Sequence, residues 1–195
     1  MDNKAFPSGE GGLFRECEMV DEEKNLEESL VRDDKKVYFM KFKWIDYSRE
    51  LADTVEGLLD EEAVRMTGID EGFDDYYSYW ANEENTVLGE NFWCKVILKE
   101  NTPVGVMVLG KSPDCEFIMS EIIVSPAMRG HGVGGAVLCE FLYNGEYIIG
   151  QKTKKVMAVI FPNNIASQRC FEKAGFKYVS SHPDGDAWYY RYTAK

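Results

Sequence analysis

The stretch Arg129-Gly130-His131-Gly132-Val133-Gly134-Gly135 puts four glycines in seven residues, between the apolar run Ile122-Ile123-Val124 and a segment with helical spacing, Ala136–Tyr147. A strand, a glycine turn and a helix in that order leave few options for the chain around them. Glycine tolerates positive φ and lets a ligand approach the main chain, while the first-turn amides of the helix present N–H groups and a positive dipole end. Taken alone, the stretch is either an anion-binding turn or an ordinary glycine-rich connection. Two phosphate loops are excluded on spacing. Gly130, Gly132 and Gly135 satisfy G-x-G-x-x-G, but Pro126 to Arg129 separate them from the strand and no acid follows about 20 positions later, where position 150 is Gly150. A triphosphate loop needs G-K-[ST], which is missing.

Periodicity supplies the surroundings. Lys36–Ile45 alternates as a strand with Tyr38, Met40, Phe42 and Trp44 on one face, and Ser48 caps a helix running through Leu59. Phe73–Ala81 reads as a second helix. Phe92–Lys99 and Val104–Leu109 form a hairpin, and Glu116–Val124 is the strand before the glycines. Val156–Ile160, the helix Ile165–Lys173 stopped by Gly175, and a last hairpin of Tyr178–Ser181 with Ala187–Thr193 complete the chain. The pattern is that of a single α/β (α+β) domain over 37–195, with helices on a mixed, mostly antiparallel sheet, preceded by an acidic appendage over 1–36.

Charge divides the chain. The net charge is −12, yet residues 1–36 carry −5, residues 37–100 carry −9 and residues 101–195 carry +2. The acidity argues against nucleic acid and anionic membranes as partners, and no window approaches the roughly 18 apolar residues of a spanning helix. The N-terminus has no basic and apolar leader pattern, so the expectation is a soluble, cytoplasmic protein. Five cysteines without a C-x-x-C pair argue for reduced thiols and no metal.

Two motifs then carry a resemblance. Glu121–Val124, Ser125-Pro126 and Arg129-x-x-Gly132-x-Gly134, followed after one helix and one strand by Asn164 to Phe176 (N-x-x-[AS]-x-x-x-[YF]-x-K-x-G-F), resemble the GNAT superfamily of N-acetyltransferases over about 65 residues. The resemblance implies acetyl-CoA as cosubstrate and a sheet splayed where the cofactor lies. It implies that the amides of Arg129, Gly130, Gly132, Val133, Gly134 and Gly135 cradle the coenzyme A pyrophosphate. The backbone of Ile123 and Val124 would pair with pantetheine, and Asn164, or its neighbour Asn163, would bond the same arm. Phe171 lies at the position of the family's frequent tyrosine acid, beside the cofactor. Since a phenyl ring has no proton to give, the thiolate would be protonated by solvent or a water chain, with Ser167, Tyr189 and Tyr190 as other hydroxyls.

Amine attack needs a base, and Glu121, three residues before Val124, is the candidate catalytic carboxylate; its other reading is a solvated strand glutamate. Asp74, Asp75, Tyr76 and Trp80 mix carboxylates with aromatic faces, which suits a cationic amine through charge pairing and cation–π contact, although a solvated helix face over core aromatics has the same composition. The expected activity is acetyl transfer from acetyl-CoA to a small polyamine- or aminoglycoside-like acceptor by direct attack. The competing readings are a weak acetyl-CoA-binding or regulatory module, and a protein or peptide N-acetyltransferase. A homodimer exchanging the N-terminal segment is compatible with any of them.

Overall fold

The protein is described by a computed structural model over residues 41–69, 72–81, 91–111 and 116–194, all within one compact unit, Val37–Lys195. The acidic appendage and the first residues of the strand expected at Lys36–Ile45 lie outside the described residues.

Seven strands form one sheet: β1 (Lys43–Asp46), β2 (Phe92–Lys99), β3 (Thr102–Gly110), β4 (Ile118–Val124), β5 (Lys155–Ile160), β6 (Lys177–Ser181) and β7 (Trp188–Thr193), in the order β1-β2-β3-β4-β5-β7-β6. Every pairing is antiparallel except β4 with β5. Between β2 and β3 the two residues Glu100 and Asn101 both take positive φ (51° and 64°), the turn whose twist matches a two-residue hairpin. The expected hairpin is therefore present.

Three helices, α1 (Ala52–Glu56), α2 (Glu61–Thr67) and α3 (Phe73–Ala81), lie along the chain before β2, and α4 (Val133–Ile149) and α5 (Ile165–Lys173) follow β4 and β5. Two cores result, one on each face. Tyr47, Val55, Leu58, Ala63, Phe73, Val96, Val106, Val108 and Ile123 make the first, while Phe42, Met107, Leu109, Ile118, Val137, Leu138, Phe141 and Phe171 belong to the second. Residues Val104 to Gly110 of β3 are buried without interruption, as expected for a central strand covered on both faces.

The expected helix from Ser48 through Leu59 is broken. A single 3₁₀ turn, Arg49–Leu51, precedes the five-residue α1, and the Ser48 side chain makes no capping bond. The helix α2 was not expected from the sequence, although its signals are local. Asp60 caps it by accepting from Ala63 N–H at 2.8 Å, and Gly68 ends it in a left-handed conformation. The helix after the glycines begins three residues earlier than Ala136 and ends at Ile149.

Glu140 of α4 fastens β1 to this frame. It is 8 % exposed, and its carboxylate accepts from Trp44 Nε1 at 2.6 Å and from the Lys41 backbone N–H at 2.7 Å. Removing an acceptor from buried donors costs their desolvation. Glu140→Ala is expected to destabilise the fold by about 2 kcal/mol, read as a lower urea midpoint at unchanged slope.

Candidate active site

The strands β4 and β5 pair only at Ile118 with Val156 and Met119 with Met157. Ser120 Oγ reaches Met157 O at 3.2 Å, and beyond it β4 continues to Val124 with strand register only to β3. The sheet is therefore forked at this point. Which backbone groups face the fork follows from the ladder. Ser125 N–H donates to Val104 O at 2.9 Å, so by antiparallel alternation Ile123 and Glu121 turn their N–H and C=O toward β3, while Ile122 and Val124 turn theirs into the fork.

This corrects one expected cofactor residue. Ile123 is 3 % exposed, has its side chain in the core under α1 to α3 and spends its peptide groups on β3, whereas Ile122 turns its peptide groups into the fork. Val124 also faces the fork, and its carbonyl accepts from Arg129 Nε at 3.1 Å. A one-residue shift in register reverses which groups face a neighbour, and the motif alone does not carry the register.

The glycine turn leads directly to the mouth of the fork. Gly130 and Gly132 have φ of 76° and 77°, and a Cβ built at Gly130, Gly132 or Gly135 meets no atom within 4 Å. Gly132 is the N-cap of α4 and supplies no side-chain acceptor; Ala136 N–H is the first amide to find one, at Gly132 O (3.0 Å). The N–H groups of Val133, Gly134 and Gly135 thus have no acceptor among the described residues. Open space, free amides and a 17-residue helix dipole fit a pyrophosphate, and the unpaired edge of β4 fits an extended amide chain. Gly134 has a different reason to be glycine: a Cβ there would stand 2.9 Å from Cys170 Sγ, so it lets α4 and α5 approach.

Arg129 is tied down. Its guanidinium forks onto Asp60, with Nη1 to Oδ2 at 2.6 Å and Nη2 to Oδ1 at 2.9 Å, and Nη1 also faces Glu62 at 3.3 Å. The guanidinium holds the Asp60 carboxyl below the usual carboxylate range. Its side chain therefore joins the turn to the cap of α2, and its backbone N–H donates to Pro126 O at 3.3 Å. His131, exposed, contacts Arg129 O at 2.8 Å through Nδ1.

Asn164 caps α5, its Oδ1 accepting from Ser167 N–H at 3.0 Å. Phe171 is a second correction. It is 3 % exposed and meets Phe176 edge-on at 4.9 Å, so its ring is part of the core rather than an exposed surface. Tyr190, one of the other hydroxyls, is 2 % exposed and donates to Glu172 Oε1 at 3.5 Å.

Glu121 lies on β4 in a row across one sheet face with Val108 of β3 and Cys94 of β2, and Tyr47 N–H bonds Cys94 O at the far end. The α3 helix covers this row. Tyr76 O–H donates to Glu121 Oε2 at 2.8 Å, with the Trp80 ring 6.4 Å from that of Tyr76. Glu121 Oε1 is buried and has no partner among the described residues. Burial pushes the Glu121 carboxyl up to about 7 against the opposing pull of the Tyr76 hydroxyl, and drives the Tyr76 phenol well above its usual value.

Of the four expected acceptor residues, Tyr76 bonds Glu121, Trp80 packs against Tyr76, and Asp75 is exposed on α3. Asp74 is already engaged, accepting from Tyr47 O–H at 3.0 Å and facing Arg49 at 3.6 Å. A cavity of about 380 Å³ lies between Arg65 and Met66 of α2, Phe161, Pro162 and Asn163 after β5, and Asp186; none of the four lines it.

The acetyltransferase (GNAT) family matches residues 47–176, and the chain belongs to that family, whose members take the acetyl group from acetyl-CoA. No curated protein matches it. Among solved structures it resembles the aminoglycoside acetyltransferase AAC(6')-Ib in complex with paromomycin and acetyl-CoA (18 % identity, TM-score 0.61, 79 % of this chain and 94 % of that one). Spermidine N-acetyltransferase from Vibrio cholerae in complex with CoA and spermine is similar at 13 % identity and TM-score 0.61, over 78 % and 95 % of the two chains. A putative phosphinothricin N-acetyltransferase is similar at 20 % identity and TM-score 0.58, over 78 % and 98 %. No described helix is long and apolar enough to cross a membrane.

The buried carboxyl has a stability consequence. A carboxyl whose value is raised from 4.5 to about 7 by folding favours the native state below pH 4.5 and loses that contribution as pH climbs through about 7. At about 1.4 kcal/mol per pH unit, Glu121 makes folding about 3 kcal/mol weaker at pH 8 than at pH 4. Glu121→Gln is expected to melt higher than the parent at pH 8, with the gap closing at pH 4.5.

Proposed function

We propose that the protein transfers an acetyl group from acetyl-CoA to the primary amine of a small cationic acceptor by direct attack. The observation that carries this is the buried Glu121 carboxylate, held by Tyr76 beside the fork between β4 and β5. A base near 7 is matched to removing a proton from an amine at neutral pH. The amides of Gly130, Gly132, Val133, Gly134 and Gly135 hold the pyrophosphate, with the backbone of Arg129, and Ile122 and Val124 pair with the pantetheine arm. Asn164 serves the same arm through its amide nitrogen while its oxygen caps α5. The bound cosubstrate supplies an activated acetyl thioester.

The acceptor class rests on Tyr76, Trp80 and Asp75, two aromatic faces and an exposed carboxylate on one helix, which favour a cation over a neutral amine. The aminoglycoside and spermidine enzymes among the similar structures act on amines of that kind. A binding-only protein is favoured by one observation, the absence of a hydroxyl at Phe171.

Two experiments test the function. Release of coenzyme A thiol, measured over a panel of polyamines, aminoglycosides, neutral amines and peptides, is expected only with the cationic small molecules, and kcat is expected to fall at least about 100-fold in Glu121→Gln. Turnover confined to peptides or neutral amines overturns the acceptor class; coenzyme A binding without release for any acceptor favours the binding protein. Gly132→Glu puts a side chain and a negative charge at a positive-φ position facing the free amides. Its coenzyme A affinity by calorimetry is expected to drop more than about 100-fold while the circular dichroism spectrum is retained.

A further inference from the structure

We propose that Tyr76 is a positioning residue for acetyl transfer: by donating its O–H to Glu121 Oε2 it pins the carboxylate so that Oε1 alone carries the proton from the attacking nitrogen to the departing sulfur. The inference rests on the proposed role of Glu121 as base and adds the residue that orients it, the working oxygen and the return of the proton.

The geometry separates the two carboxylate oxygens. Oε2 has a phenol at 2.8 Å, whereas Oε1 is shielded from water with no partner among the described residues. A buried carboxylate oxygen with no donor among the described residues is poorly solvated, which strengthens it as a proton acceptor. Tyr76 itself stays a donor because burial and the adjacent carboxylate both hold its proton. Its ring is fixed by Phe73 at 6.0 Å and Trp80 at 6.4 Å.

The proton balance closes on one residue. As the neutral amine forms the C–N bond, its nitrogen loses a proton to Oε1. The C–S bond breaks with its electron pair on sulfur, Oε1 gives the same proton to that thiolate, and amide, thiol and the original carboxylate result. No tyrosine is required at Phe171, which is in the core and has no proton. Among the described residues around Glu121, Tyr76 comes from α3, Val108 from β3 and Cys94 from β2, whose thiol burial keeps protonated; Tyr47, at the far end of the row, is bonded to Asp74. None of these is a cation, and the Tyr76 hydrogen bond is what stabilises the ionised form among them.

The test is the pH dependence of kcat/KM for the full chain with its best acceptor, together with a carbon-13 NMR titration of the Glu121 carboxyl without substrate. In the parent both midpoints are expected near 7. Tyr76→Phe keeps the ring and removes the donor, and both midpoints are expected to rise by about one pH unit. In Glu121→Gln the titration near 7 is expected to vanish from the rate profile, leaving only that of the acceptor's own ammonium. If the titration near 7 vanishes in Glu121→Gln but neither midpoint moves in Tyr76→Phe, Glu121 remains the base and the positioning role is overturned. A titration near 7 that persists in Glu121→Gln overturns the base itself and the inference with it. The NMR midpoint decides even where Tyr76→Phe is too slow to assay.

Discussion

Two residue pairs hold β4 against β5, and the arrangement of the candidate site depends on the strands parting after them. Strand backbones leave unpaired amides and carbonyls wherever a neighbour departs, and such an edge in the middle of a sheet is ordinarily unstable. Here the edge is short, from Ser120 to Val124, and is bounded by Ser120 Oγ on Met157 O at one end and Arg129 on Val124 O at the other. The fork is thereby a built feature with a polar interior, open to an extended amide chain.

The turn that closes the fork is linked to the helices of the opposite face. Arg129 binds the Asp60 cap of α2 with two hydrogen bonds while its Nε holds the end of β4. Exposed ion pairs contribute little, but a forked guanidinium on a helix cap fixes direction as well as charge. On the same side, Tyr76 ties α3 to β4. The two contacts register the acidic helices against β4 and its candidate base, so the charge division along the chain becomes a spatial one within a single unit.

That division is less simple than the composition implied. The acids at Asp60 and Glu62 neutralise Arg129, and Asp74 serves Tyr47 and Arg49. The candidate base is instead a buried carboxylate on β4, Glu121. Holding it there opposes stability above neutral pH, the usual conflict between a well-packed core and a site that needs an unsatisfied group.

Much of this was legible from local chemistry. A glycine run between a strand and a helix, and an Asn cap with a Gly stop around α5, act through neighbours a few residues apart, so the residues themselves encode them. The hairpin at Glu100-Asn101 is of the same kind. The cap at Asp60 is equally local, although it stands at the head of a conspicuous acidic run. Other features join distant residues. Tyr76 meets Glu121 across 45 positions, Arg129 meets Asp60 across 69, and the register of β4 against β3 decides that Ile122, not Ile123, faces the fork. Phe171 occupies a motif position associated with catalysis, yet packing against Phe176 places it in the core. The sequence by itself determined the family, the glycine turn ahead of α4 and the candidate base. Only the tertiary structure decided which oxygen of that carboxylate Tyr76 holds and which has no partner among the described residues, because desolvation and hydrogen-bond partners are properties of what the folded chain brings beside a residue.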